Sequence, residues 1–273
     1  MIINHNLSAM NTHRQLGINT GNLAKNVEKL SSGYRINRAA DDAAGLSISE
    51  RMRAQIRGME QAARNAQDGI SLVQTAEGAL QTVNNMLVRI QELTTQAANG
   101  TYDSTDDLAR INEEIQELAS EITNIGQNTK FNGITLLDGS GTVTLQIGID
   151  SSQTLKLDGT KFDIGTLGNK IGTDFKFTTQ ADANAQLDNI KTYINTVSAA
   201  RSYLGANQNR LENTINNLNI TAENLQAAES RIRDLDMAKE QMAFTKNSIL
   251  TQASQAMLAQ ANQLPQGVLQ LLR

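Results

Sequence analysis

A seven-residue apolar repeat between residues 46 and 98 constrains the fold of this chain more than any other feature. The repeat is carried by Met52, Met59, Ala66, Val73, Leu80 and Leu87. A sustained heptad is typical of a coiled coil, and a straight helix over this stretch would span roughly 80 Å at 1.5 Å per residue. Such a helix cannot bury its apolar stripe against itself, so the sequence predicts partner helices elsewhere in the chain.

The second half of the chain supplies a partner with the same repeat. A seven-residue step runs from Leu204 to Ile232, and a shorter amphipathic helix is predicted over 108–125 from apolar steps of three and four. We expect the seam of a helix bundle to be formed by Met52, Met59, Val73, Leu80, Leu87, Leu211, Leu218, Leu225 and Ile232.

Both ends of the chain are amphipathic and poor in charge. Arg14 is the only charged side chain before Lys25, and none follows Lys246 until Arg273. A surface helix of a monomer normally carries a charged outer face, so we expect these ends to pair and to be buried in an assembly; a disordered polar terminus is the alternative for the isolated chain. The residues predicted to form this pairing and the polymer core are Leu7, Leu16, Leu23, Val27, Leu30, Leu250, Met257, Leu264 and Leu271.

The middle of the chain changes from a helical period to a period of two. Apolar residues alternate with polar ones over 143–149, Asp158-Gly159 reads as a hairpin turn, and four of the five Phe fall between 131 and 177. We expect a small sheet or pair of hairpins over 131–177, capping one end of the helices.

Local signals place the helix ends and the close approaches. Ser31-Ser32-Gly33 should end the first helix, and Asp41 or Asp42 should cap the next, with a salt bridge to Arg35 or Arg38. Each glycine inside the long helix costs about 1 kcal/mol relative to alanine, which predicts that another helix approaches closely at these positions. They are Gly58, Gly69 and Gly78.

The predicted fold class is therefore mainly α: a long antiparallel coiled-coil or helix bundle with a small β-hairpin region in the middle and paired terminal helices. We expect two domains. Residues 1–44 with 235–273 would form an inner terminal coiled coil that includes a spoke segment, 31–45. Residues 45–234 would form an outer helical bundle that includes the β patch.

The sequence offers no chemistry for catalysis. The chain has no Cys and only two His, His5 and His13, and it carries no motif for a zinc site, a phosphate loop or a nucleophile beside a base. We expect no enzyme activity, no metal and no cofactor. A net charge of −4 gives no basic field for nucleic acid, and no apolar run could span a membrane. No signal segment is apparent, which fits a cytosolic protein or one secreted without a cleaved signal.

Several stretches are specific enough to indicate a family. They are Leu30 to Asn37, Asp41 to Leu46, Ala63 to Ser71, Thr75 to Leu80, Phe131-Asn132-Gly133, Ala227 to Asp234, Asp236 to Ala238 and Gln260 to Gln266. Together they resemble bacterial flagellin, in a short form that lacks large variable outer domains. A hook-filament junction protein or another axial flagellar protein is the alternative, and the density of flagellin-like stretches disfavours it.

The resemblance implies a structural subunit that polymerises into the extracellular flagellar filament for swimming motility. It implies secretion through the flagellar type III export apparatus without a cleaved signal peptide, and assembly beneath a filament cap beyond the hook-junction proteins. It also implies a cytoplasmic export chaperone on the C-terminal segment, about 249–272. A vertebrate Toll-like receptor reads many flagellins, and the positions that match its recognition site are Arg89, Leu93 and Glu114.

Overall fold

The structure is a computed structural model that describes residues 6–100, 106–139 and 141–271, with side chains described as far as residue 263. The chain divides into two compact units. One contains residues 1–56 and 223–273, and the other contains residues 57–222. The division into domains at residues 44 and 235 stays a prediction. No helix among the described residues is long and apolar enough to cross a membrane.

Six α-helices make up most of the described chain, which confirms the predicted fold class. They are α1 (Leu7–Ser32), α2 (Ala43–Ala97), α3 (Asp107–Asn128), α4 (Leu167–Asp174), α5 (Gln180–Arg233) and α6 (Met237–Leu271). The two longest, α2 and α5, have 55 and 54 residues. The boundary between the units falls within both of these helices.

Four short strands form two separate antiparallel pairs. β1 (Lys130–Phe131) pairs with β2 (Ile134–Thr135), and β3 (Thr142–Gln146) pairs with β4 (Thr154–Asp158). The turn between β1 and β2 is Asn132-Gly133, with φ of 48° and 82°, as a two-residue type I′ turn requires. This hairpin signal went unused in the sequence prediction.

The predicted β patch is only partly β. Asp158-Gly159 is not a hairpin turn, because a 3₁₀ turn, Gly159–Lys161, begins there and the Asp158 carboxylate accepts from the backbone N–H of Thr160. The β3–β4 connection is instead a longer loop, in which the Gln153 side chain accepts from the backbone N–H of Ile149. The short helix α4 was also missed, since eight residues hold too few turns for a visible period.

The helix ends follow the local signals. α1 ends at Ser32, and Gly33 adopts the left-handed conformation with φ of 73°. The Asp42 carboxylate accepts from the backbone N–H of Gly45 and so caps α2. The predicted salt bridge to Arg35 or Arg38 is wrong, because the Asp41 carboxylate accepts backbone N–H groups instead.

Hydrogen bonds within unit 57–222 show that α2 and α5 run antiparallel. Arg201 pairs with Glu77 at 3.2 Å, and the Gln180 side chain donates to the carbonyl of Ala98, so rising numbers on one helix meet falling numbers on the other. Between them lies one apolar core with members from α2, α3, α4, α5 and both hairpin strands β3 and β4. Phe162, Phe175 and Phe177 are its largest buried side chains.

The helical glycines are approached by a hairpin more than by a helix. A Cβ on Gly58 would lie 3.3 Å from the Ile149 side chain, and one on Gly69 would overlap the Leu145 side chain. Both partners belong to the β3–β4 hairpin, and only Gly69 also approaches α5. Nothing lies within 4 Å of a Cβ on Gly78. The predicted close approach of a helix is therefore absent at Gly78.

Candidate assembly surface

The two chain ends form an antiparallel helix pair within one unit. The Asn6 side chain donates to the carbonyl of Ala261 at 2.8 Å, and the Asn19 side chain donates to Ser254 Oγ at 3.0 Å. Farther along, the backbone N–H of Leu235 donates to the carbonyl of Gly33. Residue numbers therefore rise on α1 as they fall on α6.

The most deeply buried positions of this pair's seam hold polar or small side chains, and leucines occupy half-buried positions beside them. Asn19, Asn26 and Ser254 are buried polar side chains, and Ala261 is buried beside them. The seam continues on α6 through half-buried Asn247, Thr251 and Leu258, and on α1 through half-buried Thr12, Leu16, Leu23 and Leu30. α1 thus turns these three leucines partly inward, whereas α6 contributes mainly polar or small side chains together with Leu258.

The predicted apolar repeat of α6 lies to one side of the seam with α1 and is exposed. Met257 is 64% exposed and Leu250 is 39% exposed, and Met242 and Ile249 lie on the same side of the helix and are also exposed. On α1, Leu7 is 64% exposed and Val27 is exposed as well. The side chains of Leu264 and Leu271 lie outside the described part of the chain. The pair therefore leaves a stripe of large apolar side chains that the described residues do not cover.

A shallow groove runs along the exposed stripe. Its volume is about 590 Å³, and its lining residues are Ala238, Gln241, Met242, Thr245, Lys246, Ile249 and Leu250. Most of these side chains are apolar or small. An apolar surface of this kind is more typical of a protein–protein contact than of an isolated helix in water.

A compact clasp joins the segments that lead into α1 and α6. The backbone N–H of Arg35 donates to the carbonyl of Arg233 at 2.7 Å, and Tyr34 forms a bridge with Asp234. The Arg35 guanidinium also donates to the carbonyl of Ile232. The two chain ends therefore start from one point, which favours their antiparallel pairing over contacts with more distant partners.

Charged and aromatic side chains reinforce the clasp. The Arg233 guanidinium lies 4.9 Å from the centre of the Tyr34 ring and forms an ion pair with Glu50 at 2.6 Å. Nearby, backbone N–H groups of Arg38 and Asn37 hold the pKa of the Asp41 carboxyl below its usual value. These contacts order the predicted spoke segment without requiring a metal or cofactor.

The predicted bundle seam divides into a buried and a half-buried part. Val73, Leu80, Leu87 and Leu211 are buried. Met52, Met59, Leu218, Leu225 and Ile232 are half-buried. Burial is therefore deepest where α3 and the β3–β4 hairpin supply further apolar side chains, and weaker toward the start of α2 and the end of α5.

Two of the three predicted receptor positions are accessible in the single chain. Arg89 and Glu114 are exposed and form an ion pair at 2.8 Å. The hydrogen bonds that the Arg89 guanidinium donates to Glu114 and then to Glu92 raise its pKa. Leu93 is only 2% exposed and packs in the core. Arg89 and Glu114 are therefore accessible to a partner in solution, whereas the Leu93 side chain is not.

Among the described residues, no group of three or more His, Cys, Asp or Glu side chains is placed to hold a metal ion. His13 lies exposed on α1, and His5 lies outside the described residues. The features that distinguish the molecule are its surfaces for packing against protein.

Comparison with known proteins identifies the family. The family model for the bacterial flagellin N-terminal helical region matches residues 3–142, and the model for the C-terminal helical region matches residues 187–272. Flagellin of Halalkalibacterium halodurans is 57% identical over 274 residues, with all of both chains covered. Flagellin of Bacillus subtilis strain 168 is 51% identical over 304 residues, again with all of both chains covered.

Solved structures agree with this result. The crystal structure of Bacillus cereus flagellin superposes with a TM-score of 0.51 and 32% identity, covering 61% of this chain and 94% of that one. A putative flagellar hook-associated protein from Vibrio parahaemolyticus reaches a TM-score of 0.58 at 13% identity, over 71% of this chain and 100% of that one, and so shares the fold alone. The matches to both end regions and along the full length of the relatives mean that this chain belongs to the bacterial flagellin family.

Proposed function

We propose that this chain is a structural subunit that polymerises with copies of itself into the flagellar filament, an extracellular helical polymer that serves swimming. Membership of the flagellin family supports this function. The observation that carries it is the exposed apolar stripe of α6, represented by Met242, Ile249, Leu250 and Met257. A helix face of this kind is stable in water only when another protein surface covers it.

Covering the stripe would contribute favourably to the free energy of assembly. Fully burying one Leu or Met side chain contributes about 1.5–3 kcal/mol. Contacts between identical subunits produce an open helix when each subunit uses two different surfaces, because the contact then repeats without closing. In this proposal the stripe is one surface, and a neighbouring copy supplies the second.

Electron microscopy of the purified chain tests the proposal directly. Wild-type protein should form long filaments, and Met257→Asp should prevent them because it places a charge within the buried contact. Gln255→Asp is the matched control, since Gln255 is exposed on the opposite side of α6 and carries the same added charge. Wild-type protein that stays monomeric under all polymerising conditions would contradict the proposal.

Further partners are proposed from the family. They are a cytoplasmic chaperone on the C-terminal segment, about 249–272, the type III export apparatus, the filament cap and the hook-junction proteins. The apolar groove of α6 supports the chaperone, because an exposed stripe of this kind needs cover before assembly. Chaperone binding should fall in Leu250→Asp and persist in Gln255→Asp.

Recognition by a vertebrate Toll-like receptor is a separate proposal. Exposed Arg89 and Glu114 support it, and Leu93 would act indirectly through the core. Arg89→Ala should weaken activation of a receptor reporter cell line. Arg110→Ala is the control, because Arg110 is also exposed and paired with a glutamate, Glu113, at 3.0 Å. Equal responses to the two variants would contradict the proposed site.

A further inference from the structure

The hydrogen bond between Asn19 and Ser254 sits where a coiled coil would normally place apolar side chains. Asn19 is 5% exposed, and its side-chain amide donates to Ser254 Oγ at 3.0 Å and to the carbonyl of Leu250 at 3.5 Å. Its carbonyl oxygen accepts from the Gln15 side chain at 3.4 Å. A buried polar residue at such a position commonly selects one arrangement of helices at some cost in stability.

An apolar alternative to this arrangement lies close by. At 100° per residue, Leu250 and Met257 lie about 50° around α6 from Ser254. A rotation of α6 by that amount would turn its apolar repeat toward the half-buried leucines of α1, which is the pairing that the sequence predicts. This rotation would cost free energy, because the Asn19 amide would then be buried against apolar side chains without its acceptors.

We propose that the Asn19–Ser254 pair sets the rotation of α6 about its own axis, and thereby keeps the apolar stripe of α6 pointing outward for other copies of the chain. Asn19 and Ser254 are positioning residues in this account. They do not contact the neighbouring copy but decide which face of α6 is offered to it. The inference rests on the proposed function and adds the residues that select the polymerising face.

Asn26 provides an internal control one heptad along the same seam. It is the same residue type and is also buried, but its Nδ2 has no hydrogen-bond partner in the described part of the chain. Its amide therefore contributes burial cost without a matching bond. If the Asn19–Ser254 hydrogen bond matters, replacing Asn26 and replacing Asn19 should change the critical concentration for polymerisation in opposite directions. If only the polarity of the seam matters, the two replacements should change it in the same direction.

The experiment measures the critical concentration for polymerisation of the full chain. Asn19→Leu should raise the critical concentration about two- to tenfold, because the hydrogen bond between Asn19 and Ser254 is lost. Asn26→Leu should lower the critical concentration about fivefold, because it removes a buried amide that has no matching bond. The exchanged double variant, Asn19→Ser with Ser254→Asn, keeps an amide opposite a hydroxyl and should restore a value near wild type. Double-variant values no better than those of the single variants would overturn the proposal.

Disulfide trapping reports the rotation itself. The chain contains no Cys, so Asn6→Cys with Ala261→Cys introduces a single possible disulfide within one chain, at a site where the two chain ends touch. We expect efficient cross-linking within filaments, and a marked loss when Asn19→Leu is added. Unchanged cross-linking together with an unchanged critical concentration would overturn the proposal. If wild-type protein formed no filaments at all, the proposed function would fail first, which separates the two outcomes.

Discussion

Residues 57–222 and the two chain ends carry the same apolar repeat and use it in opposite ways. In the first unit, Leu80 and Leu87 are completely buried in a core shared by several elements. In the second, Met242 and Met257 are exposed, and the most deeply buried positions of the seam are asparagine, serine and alanine. A heptad thus identifies a helix with an apolar stripe, but the partner that covers the stripe can belong to the same chain or to another copy.

The largest effect is expected when either chain end is removed, because this should separate folding from polymerisation. Deletion of residues 1–30 or 247–273 should abolish polymerisation and leave a folded helical monomer, because the core of 57–222 contains none of the described residues of either segment. Circular dichroism would report the fold and electron microscopy the filaments. Filaments formed by either truncated chain would show that the ends are not the assembly device.

The second largest effect is expected when an aspartate is placed in the apolar repeat of each unit. Leu80→Asp places an unpaired carboxylate in the core and should lower the free energy of unfolding by several kcal/mol. Met257→Asp should leave the unfolding of the monomer nearly unchanged, because the side chain is already in water. Thermal melts of monomeric protein followed by circular dichroism compare them. A melting temperature unmoved by Leu80→Asp would contradict the core described here.

Alanine substitutions at two glycines of α2 should change the free energy of unfolding by smaller amounts and in opposite directions. Gly69→Ala should destabilise the fold by about 1–3 kcal/mol, because the new methyl group would overlap the Leu145 side chain. Gly78→Ala meets nothing within 4 Å and should stabilise the monomer by up to about 1 kcal/mol. Denaturant unfolding measures both. If Gly78→Ala also weakens filaments, a neighbouring copy approaches α2 at that position.

The smallest expected effect is a pH dependence within the bundle. Burial raises the pKa of Tyr193 to about 12, and the hydrogen bond to Asp174 adds to the shift. The folded chain holds this proton more tightly than the unfolded chain, whose tyrosine pKa is about 10. The contribution of this proton to the free energy of unfolding is therefore complete below pH 10 and lost as the pH rises through 12. The free energies of unfolding of wild type and Tyr193→Phe should differ less above pH 12 than at pH 8.

Much of the fold could be predicted because local signals and burial agree. The heptads located the long helices, Gly33 ended α1 with a left-handed residue, and Asp42 capped α2. The interior of the bundle followed as well, since a stripe with a partner in the same chain is buried as its period indicates. Leu80 and Leu211 illustrate this agreement.

Other features escaped because they depend on competition between alternatives. Two dipeptides with a hairpin signal were present, and tertiary context placed Asn132-Gly133 in the tight turn while Asp158-Gly159 opened a 3₁₀ turn. The direction of the α6 stripe depends on one hydrogen bond between residues 235 positions apart, which no periodicity can reveal. The roles predicted for the pairing, seam and receptor residues stay predictions.

The outward stripe of α6 has a consequence for the temperature at which filaments persist. Near room temperature the association of apolar surfaces is driven by entropy, so it weakens on cooling. Subunits held together through Met242, Ile249 and Met257 should therefore exchange with the free pool more readily in the cold than at moderate warmth. A chilled preparation would then release monomer that rejoins the filaments when the sample is warmed again.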